Sequence, residues 1–155
     1  MNFDFHAVAI VKNKRSVIED DDWGDVLSTI ELVDPYGAEA LLHIEYFSHV
    51  EVFYVFDRVE QEKIETGARH PRGNTEWPLM GIFAQRGKNR PNRIGATICE
   101  LIHHEGRTLT VRGLDALDGT PVLDIKPVME EFLPRQKVRQ PEWAGRLMQE
   151  YWQRK

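Results

Sequence analysis

Short runs rich in Val, Ile, Thr and aromatic residues recur at positions 5–11, 26–33, 49–56, 79–85, 94–102 and 108–112, bounded by polar and turn-forming residues. Runs of this length and composition predict β-strands. Thr108-Leu109-Thr110-Val111-Arg112 alternates as a half-buried strand should, whereas Val52-Phe53-Tyr54-Val55-Phe56 is apolar throughout and predicts burial on both faces. His104-Glu105-Gly106-Arg107 predicts a hairpin turn between the last two runs. Helical periodicity is confined to two places. The stretch 35–44 contains Ala38, Ala40, Leu41 and Leu42, enough for a short helix between strands. In the tail, Pro141 suits a first helical turn, and Trp143, Leu147 and Tyr151 recur at i, i+4 and i+8 with Met148 beside them. That stripe is expected to pack on the sheet or on a second copy of the chain. Six or seven strands with few helices predict a barrel or sandwich, as one domain over residues 1–155.

Composition narrows the class. With 41% hydrophobic and 29% charged residues, a 155-residue chain buries roughly two-thirds of its unfolded surface as one globular unit. The first residues lack a positively charged start before an apolar run, and no apolar stretch approaches the roughly 18–20 residues of a membrane span. A soluble cytoplasmic protein is expected. The single cysteine, Cys99, lies in the apolar run IGATICELI and predicts a buried, inert thiol.

The net charge of −5 hides an asymmetry. Residues 1–60 hold 4 Lys/Arg against 13 Asp/Glu, residues 61–112 hold 9 against 5, and residues 113–155 hold 7 against 7. No acidic residue falls between Glu76 and Glu100, while Arg86, Lys88, Arg90 and Arg93 crowd into eight positions. A local patch of this kind engages phosphates even on an acidic protein, although a solvated charged loop has the same pattern. The acidic run Glu19-Asp20-Asp21-Asp22 with Asp25 reads as a solvated loop rather than a metal site.

Several common chemistries are excluded by spacing. The closest glycines are six positions apart, so neither G-x-G-x-x-G nor a P-loop is present. His103 and His104 are adjacent and H-E-x-x-H is absent, so no zinc site is expected. Ser48-His49 has no G-x-S-x-G around it and reads as a strand start rather than a hydrolase.

The segments FSHVEVFYVF (47–56), HPR (70–72), GIFAQR…RPNRIG (81–95) and DALDGTPVLDIKP (115–127), in this order, resemble the signature segments of the TrmO-like family, also called YaeB or TsaA. The resemblance implies a single-sheeted β-barrel that binds S-adenosylmethionine without a Rossmann fold, works as a homodimer with no metal, and methylates the exocyclic amine of a threonylcarbamoyl-modified adenosine beside the anticodon of tRNA. It places cofactor contacts at Asp118, Gly119, Thr120 and Pro121, at Arg86, at Ala96 and, as a polar pair after the aromatic strand, at Asp57 and Arg58. The chemistry is sensible. The cofactor's zwitterionic end, ribose and adenine call for an acid, a donor and exposed backbone together. Asp118 can accept from a hydroxyl or amine, Arg86 can grip a carboxylate with two nitrogens, Gly119 permits close backbone approach and Pro121 stiffens the turn. The proton lost by the methylated amine has three candidate acceptors, Asp118, His70 and Asp57. Arg72, Lys88, Arg90 and Arg93 are assigned to substrate phosphates, and Asn92 either locks the RPN loop, the favoured role, or meets a base edge.

Three departures qualify the match. Where many members have a P-R-Q cofactor segment, this chain reads VIEDDDW (17–23). Its cationic loop carries Gln85, Gly87, Lys88 and Arg93 at the variable points, and the additional C-terminal domain of longer members is replaced by a short predicted helix. Three functions therefore stand at this stage: a tRNA methyltransferase, a methyltransferase of a small molecule, and a non-catalytic S-adenosylmethionine-binding protein.

Overall fold

The computed structural model describes residues 1–154. Six strands close into an antiparallel barrel: β1 (Ala9–Lys12), β2 (Leu27–Leu32), β3 (His49–Val55), and, after a separate two-stranded ribbon of β4 (Ala68–Arg69) and β5 (Met80–Gly81), β6 (Ile94–Glu105), β7 (Thr108–Arg112) and β8 (Pro121–Pro127). Around the barrel the order is β1-β2-β7-β6-β3-β8, with β8 returning to β1. One short helix, α1 (Glu142–Leu147), follows the barrel.

Alternation decides what fills the interior. Ala9 and Val11 of β1, Ser28, Ile30 and Leu32 of β2, Val50, Val52 and Tyr54 of β3, Thr97 and Cys99 of β6, Leu109 and Val111 of β7, and Val122 of β8 are buried, with Leu114 and Ala116 in the segment leading to β8. Each large aliphatic side chain in such a core contributes about 1.5–3 kcal/mol. The run 52–56 departs from its prediction: Val52 and Tyr54 face inward and are buried, while Phe53 and Val55 face outward and are half-buried, as one-sided burial in a barrel requires. Closure removes the sheet edges that an open sheet of this size would expose.

Further sequence expectations fail here. The run 79–85 gives only the two-residue β5 and then a 3₁₀ turn over Ile82–Ala84. Ile82 is buried but Phe83 is 77% exposed, and the buried Gln85 side chain donates to the Arg69 and Met80 carbonyls at 3.0 and 2.8 Å, taking the place of a ladder. Conversely, β8 closes the barrel between β1 and β3 although no strand was expected at 121–127. Its bounding prolines stand at the strand ends, where a missing N–H costs no central ladder bond. The first strand also starts later than expected, at Ala9, while the short helix expected within 35–44 is a 3₁₀ helix, Ala38–Leu41.

The hairpin is as expected, with Gly106 at φ +55° between β6 and β7. In the tail, α1 ends at Leu147, so Tyr151 lies beyond the helix. The tail then docks on the segment before β2: the amides of Asp22 and Trp23 donate to the carbonyls of Glu150 and Tyr151 at 3.1 and 2.8 Å. A side chain on Gly24 would run into the Trp152 carbonyl, which explains a glycine there. Cys99 is buried and donates to the Val50 carbonyl at 3.6 Å, and desolvation pushes its thiol up to about 12. The native protein is therefore expected to react with a thiol reagent at neutral pH more than about 100-fold slower than the unfolded chain, as read by timed alkylation and mass spectrometry.

Candidate functional site

Antiparallel pairing gathers the C-terminal ends of β1 and β3 and the N-terminal ends of β6 and β8 on one rim, as the partners Ile10 with Pro121, Val55 with Ile94 and Tyr54 with Val122 show. Most residues singled out in the sequence fall on or beside this rim.

The 118–121 segment is a built turn. Thr120 N–H donates to the Leu117 carbonyl at 3.1 Å and Gly119 sits at φ +83°, a conformation that favours glycine. Gly119 N–H and the Thr120 carbonyl both bond to Val11, at 2.8 and 3.0 Å, and Asp118 N–H donates to the Arg15 carbonyl at 2.8 Å. Asp118 Oδ1 accepts from the Asn13 amide at 3.0 Å, and the Asn13 side chain donates to Ser28 Oγ and the Ala116 carbonyl at 2.9 and 2.8 Å. Arg58 ties a third element in, donating to the Ser16 carbonyl at 2.7 Å and the Asp118 carbonyl at 2.5 Å. The Asp57-Arg58 pair and the turn thus form one assembly, with Asp57 and Gly119 exposed at its surface.

Arg86 and Ala96 also meet, although ten residues apart: Arg86 donates Nη2–H to the Ala96 carbonyl at 2.7 Å and keeps its remaining nitrogens for another acceptor. His70 donates Nδ1–H to the Trp77 carbonyl at 2.7 Å, so its other ring nitrogen, Nε2, is the one available to a ligand. Trp77 in turn lies 6.4 Å, ring to ring, from Trp143 of α1.

The cationic residues divide into two groups. Arg72 makes a two-pronged pair with Asp21 at 2.8 and 3.2 Å and lies 3.8 Å from Asp20, and Lys88 lies 3.8 Å from the same Asp20. The acidic run expected to be a solvated loop is instead the counter-charge of the basic loop, docked where the family's P-R-Q segment is missing. Arg15 holds it there, donating Nη1–H to the carbonyls of Asp21 and Asp22 at 2.9 and 3.0 Å while stacking on Trp23. Arg90 and Arg93 brace the loop itself, donating to the Gln85 and Val59 carbonyls at 2.8 and 3.0 Å. Asn92 adopts φ +62°, a left-handed conformation that asparagine tolerates better than most residues, so it serves the loop through its backbone.

One feature escaped the sequence entirely. Asp115, three residues before the turn, accepts from the hydroxyls of Tyr54 (2.8 Å) and Thr97 on Oδ1 and of Tyr151 (2.5 Å) on Oδ2. Burial, reinforced by the Asp115 charge, raises both phenols above the usual range, so they stay protonated and can donate to the carboxylate. Four segments are pinned by this carboxylate: β3, β6, the approach to the turn, and the tail. Among the described residues no group of three or more His, Cys, Asp or Glu is placed to hold a metal, and no helix is long and apolar enough to cross a membrane.

Comparison with known proteins places this geometry. Residues 18–132 match the model of the tRNA-methyltransferase O N-terminal domain. The chain belongs to that family. A probable S-adenosyl-L-methionine-binding protein of Pyrococcus abyssi is 40% identical over 115 residues, covering 74% of this chain and 59% of that protein. The tRNA (adenine(37)-N6)-methyltransferase of Escherichia coli is 39% identical over 114 residues, covering 68% and 47%. A crystal structure of TrmO from Pseudomonas aeruginosa superposes with a TM-score of 0.72 at 26% identity, covering 92% of this chain and 62% of the other. The chain therefore spans about half to three-fifths of the length of these relatives.

Proposed function

We propose that this protein transfers a methyl group from S-adenosylmethionine to the exocyclic N6 of the adenosine beside the anticodon of a tRNA, one already carrying a threonylcarbamoyl group. The observation that carries the reading is the gathering of the 118–121 turn, the Asp57-Arg58 pair and the Arg86–Ala96 contact on one rim of a barrel whose sequence matches the TrmO domain over residues 18–132. Such a substrate would put the work in the cytoplasm.

The residues present suit the cofactor. Gly119 is exposed and a Cβ there would meet nothing closer than Arg58 Nη2 at 3.8 Å, so its backbone is open to a ligand. Asp118 has one carboxylate oxygen engaged by Asn13 and a second with no donor among the described residues, ready for a ribose hydroxyl or an amine. Arg86 retains donors for a carboxylate. When bound, the sulfonium supplies an activated methyl group. The protein's own task is then alignment, for which well-oriented reactions reach effective molarities of roughly 10⁵–10⁸ M. Arg58, bonded to both Ser16 and the turn, fixes the cofactor side of that alignment. The proton leaving the acceptor amine goes to Asp118, His70 or Asp57. His70 has the most suitable form, because its Nδ1–H is committed to Trp77 and Nε2 is an acceptor.

Arg72, Lys88, Arg90, Arg93 and Asn92 form the substrate side, with Arg72 and Lys88 freed for phosphates when the docked aspartates yield. A small acidic acceptor is the second reading, favoured by that same occupancy of two cations by Asp20 and Asp21. Homodimerisation belongs to the first reading, supported by the part-exposed Ile94, Ile98 and Ile102 on the outer face of β6. The test is methyl transfer from labelled S-adenosylmethionine to purified tRNA bearing the threonylcarbamoyl group. Label in the hypermodified adenosine supports the proposal; binding of the cofactor with no label in any tRNA rejects it in favour of another acceptor.

A further inference from the structure

Among the described residues, the cationic rim contains one guanidinium with no acceptor. Arg69, on β4, has its Nε buried without a hydrogen-bond partner, and no carboxylate or carbonyl of the described residues hydrogen-bonds its other nitrogens. Every other arginine of the rim is engaged: Arg15 with Asp21, Asp22 and Glu19, Arg58 with Ser16 and Asp118, Arg72 with Asp21, Arg86 with Ala96, Arg90 with Gln85, and Arg93 with Val59. Arg107 also has an unpartnered Nε, but its Nη2 donates to the Leu32 carbonyl and to Asp34 at 2.9 and 3.1 Å. Asp20 and Asp21, the acids docked on the basic loop, are spent on Arg72 and Lys88.

The isolation of Arg69 is built into the backbone around it. β4 is held by its ladder to β5, by Ile82 N–H on the Gly67 carbonyl at 2.9 Å, and by the buried Gln85 side chain on the Arg69 carbonyl at 3.0 Å. The guanidinium reaches over the loop at Gly87, where a Cβ would stand 2.9 Å from Nη2. Glycine at 87 is therefore what leaves the head group its place between Arg86 and Lys88. A guanidinium has five donors and no acceptor and cannot shed its charge at physiological pH. A partly buried one without a partner is costly to the fold, and the matching group for its planar fork is a carboxylate or phosphate.

We propose that Arg69 is an oxyanion-binding residue of the site, taking a carboxylate or phosphate of a bound ligand above Gly87. The inference rests on the methyltransferase reading and adds a contact that neither the motifs nor the relatives assign. Three ligands can bring the oxyanion: the carboxylate of S-adenosylmethionine, a phosphate of the anticodon stem-loop, or the carboxylate of the threonylcarbamoyl group.

The experiment titrates wild type, Arg69→Met, Arg69→Lys and Gly87→Ala with S-adenosylmethionine, with an anticodon stem-loop bearing plain adenosine, and with one bearing the threonylcarbamoyl group, and records melting temperatures in parallel. Arg69→Met is expected to weaken the ligand concerned by about 10- to 100-fold, the loss of a charged hydrogen-bonded contact, with melting unchanged or raised. Arg69→Lys recovers part of the affinity, and Gly87→Ala, by displacing the head group, loses it in the same direction. Loss on S-adenosylmethionine alone identifies the cofactor carboxylate. Loss on both stem-loops, with a shallower salt dependence, identifies a phosphate, and loss only on the modified stem-loop identifies the threonyl carboxylate. Wild-type affinity of Arg69→Met for all three ligands, or a uniform loss matched by a fall in melting temperature, overturns the proposal while leaving the methyltransferase reading intact. Failure of the wild type to bind any of the three removes both.

Discussion

Replacing Asp115 with Ala is expected to destabilise the fold by about 4 kcal/mol and to lower the melting temperature by about 10 °C. The carboxylate accepts three hydroxyls, and two of the donors, Tyr54 and Thr97, are buried at 1% and 6% exposure, where water cannot replace the lost acceptor. Each stranded donor costs about 1–3 kcal/mol. Two further variants separate the contributions. Asp115→Asn keeps an acceptor oxygen and is expected to lose less than half as much. Tyr151→Phe removes the tail's hydroxyl, which is only part-buried, and is expected to cost about 1 kcal/mol. Thermal melts of the three variants check this, and an Asp115→Ala protein that melts with the wild type would show that the cluster does not hold the rim together.

The second large effect is expected at Asp118. Its Oδ1 holds the Asn13 amide, and its other oxygen has no hydrogen-bond donor among the described residues, so in the proposed site one side chain would serve both the turn and the ligand. Asp118→Ala is expected to weaken S-adenosylmethionine binding about 100-fold, whereas Asp118→Asn, which keeps an oxygen for Asn13 but loses the charge, is expected to weaken it about tenfold. Calorimetric titration of both variants, with melting curves alongside, distinguishes ligand contact from turn geometry. If Asp118→Asn binds as weakly as Asp118→Ala while melting like the wild type, charge alone matters; if both bind like the wild type, Asp118 is a turn residue and nothing more.

The sequence pattern was sufficient for those strands whose inward positions are simple apolar residues. Thr108–Arg112 alternates without interruption and is β7 over those same residues. The run 79–85 was misread because its apolar content carries no period: Ile82 is buried, Phe83 is exposed, and side-chain bonds from Gln85 replace a ladder. β8 was overlooked for the opposite reason, since Pro121, Asp124, Lys126 and Pro127 mask a strand that needs only Val122 at full burial to close the barrel. At the site, motif spacing located the 118–121 turn, Arg58, Arg86 and Ala96 but not what connects them. Asp115 and Tyr151 are 36 residues apart, and Asn13 and Asp118 are 105 apart, distances over which a single sequence has no local signal. The acidic run looked solvated because its partners, Arg72 and Lys88, lie more than fifty residues away. Arg69 is legible only in three dimensions, because what distinguishes it is the acceptor it lacks.

These connections bear on how the rim works. The Arg58 bridges brace the proposed cofactor side, while the aspartate pairs on Arg72 and Lys88 are part-exposed and are worth little in water, about 0–1 kcal/mol each. A polyanion can displace them at small cost. The docked run thus screens the basic loop without blocking it, which suits the proposed RNA substrate on a protein of net charge −5.

The most direct measurement of the central claim is mass spectrometry of nucleosides from tRNA of cells with and without the gene. The account predicts that deletion removes a single methyl group from the threonylcarbamoyl-adenosine pool and that the gene restores it, whereas a variant carrying Asp118→Ala does not. An unchanged methylated pool after deletion, or full restoration by the Asp118→Ala variant, would contradict it.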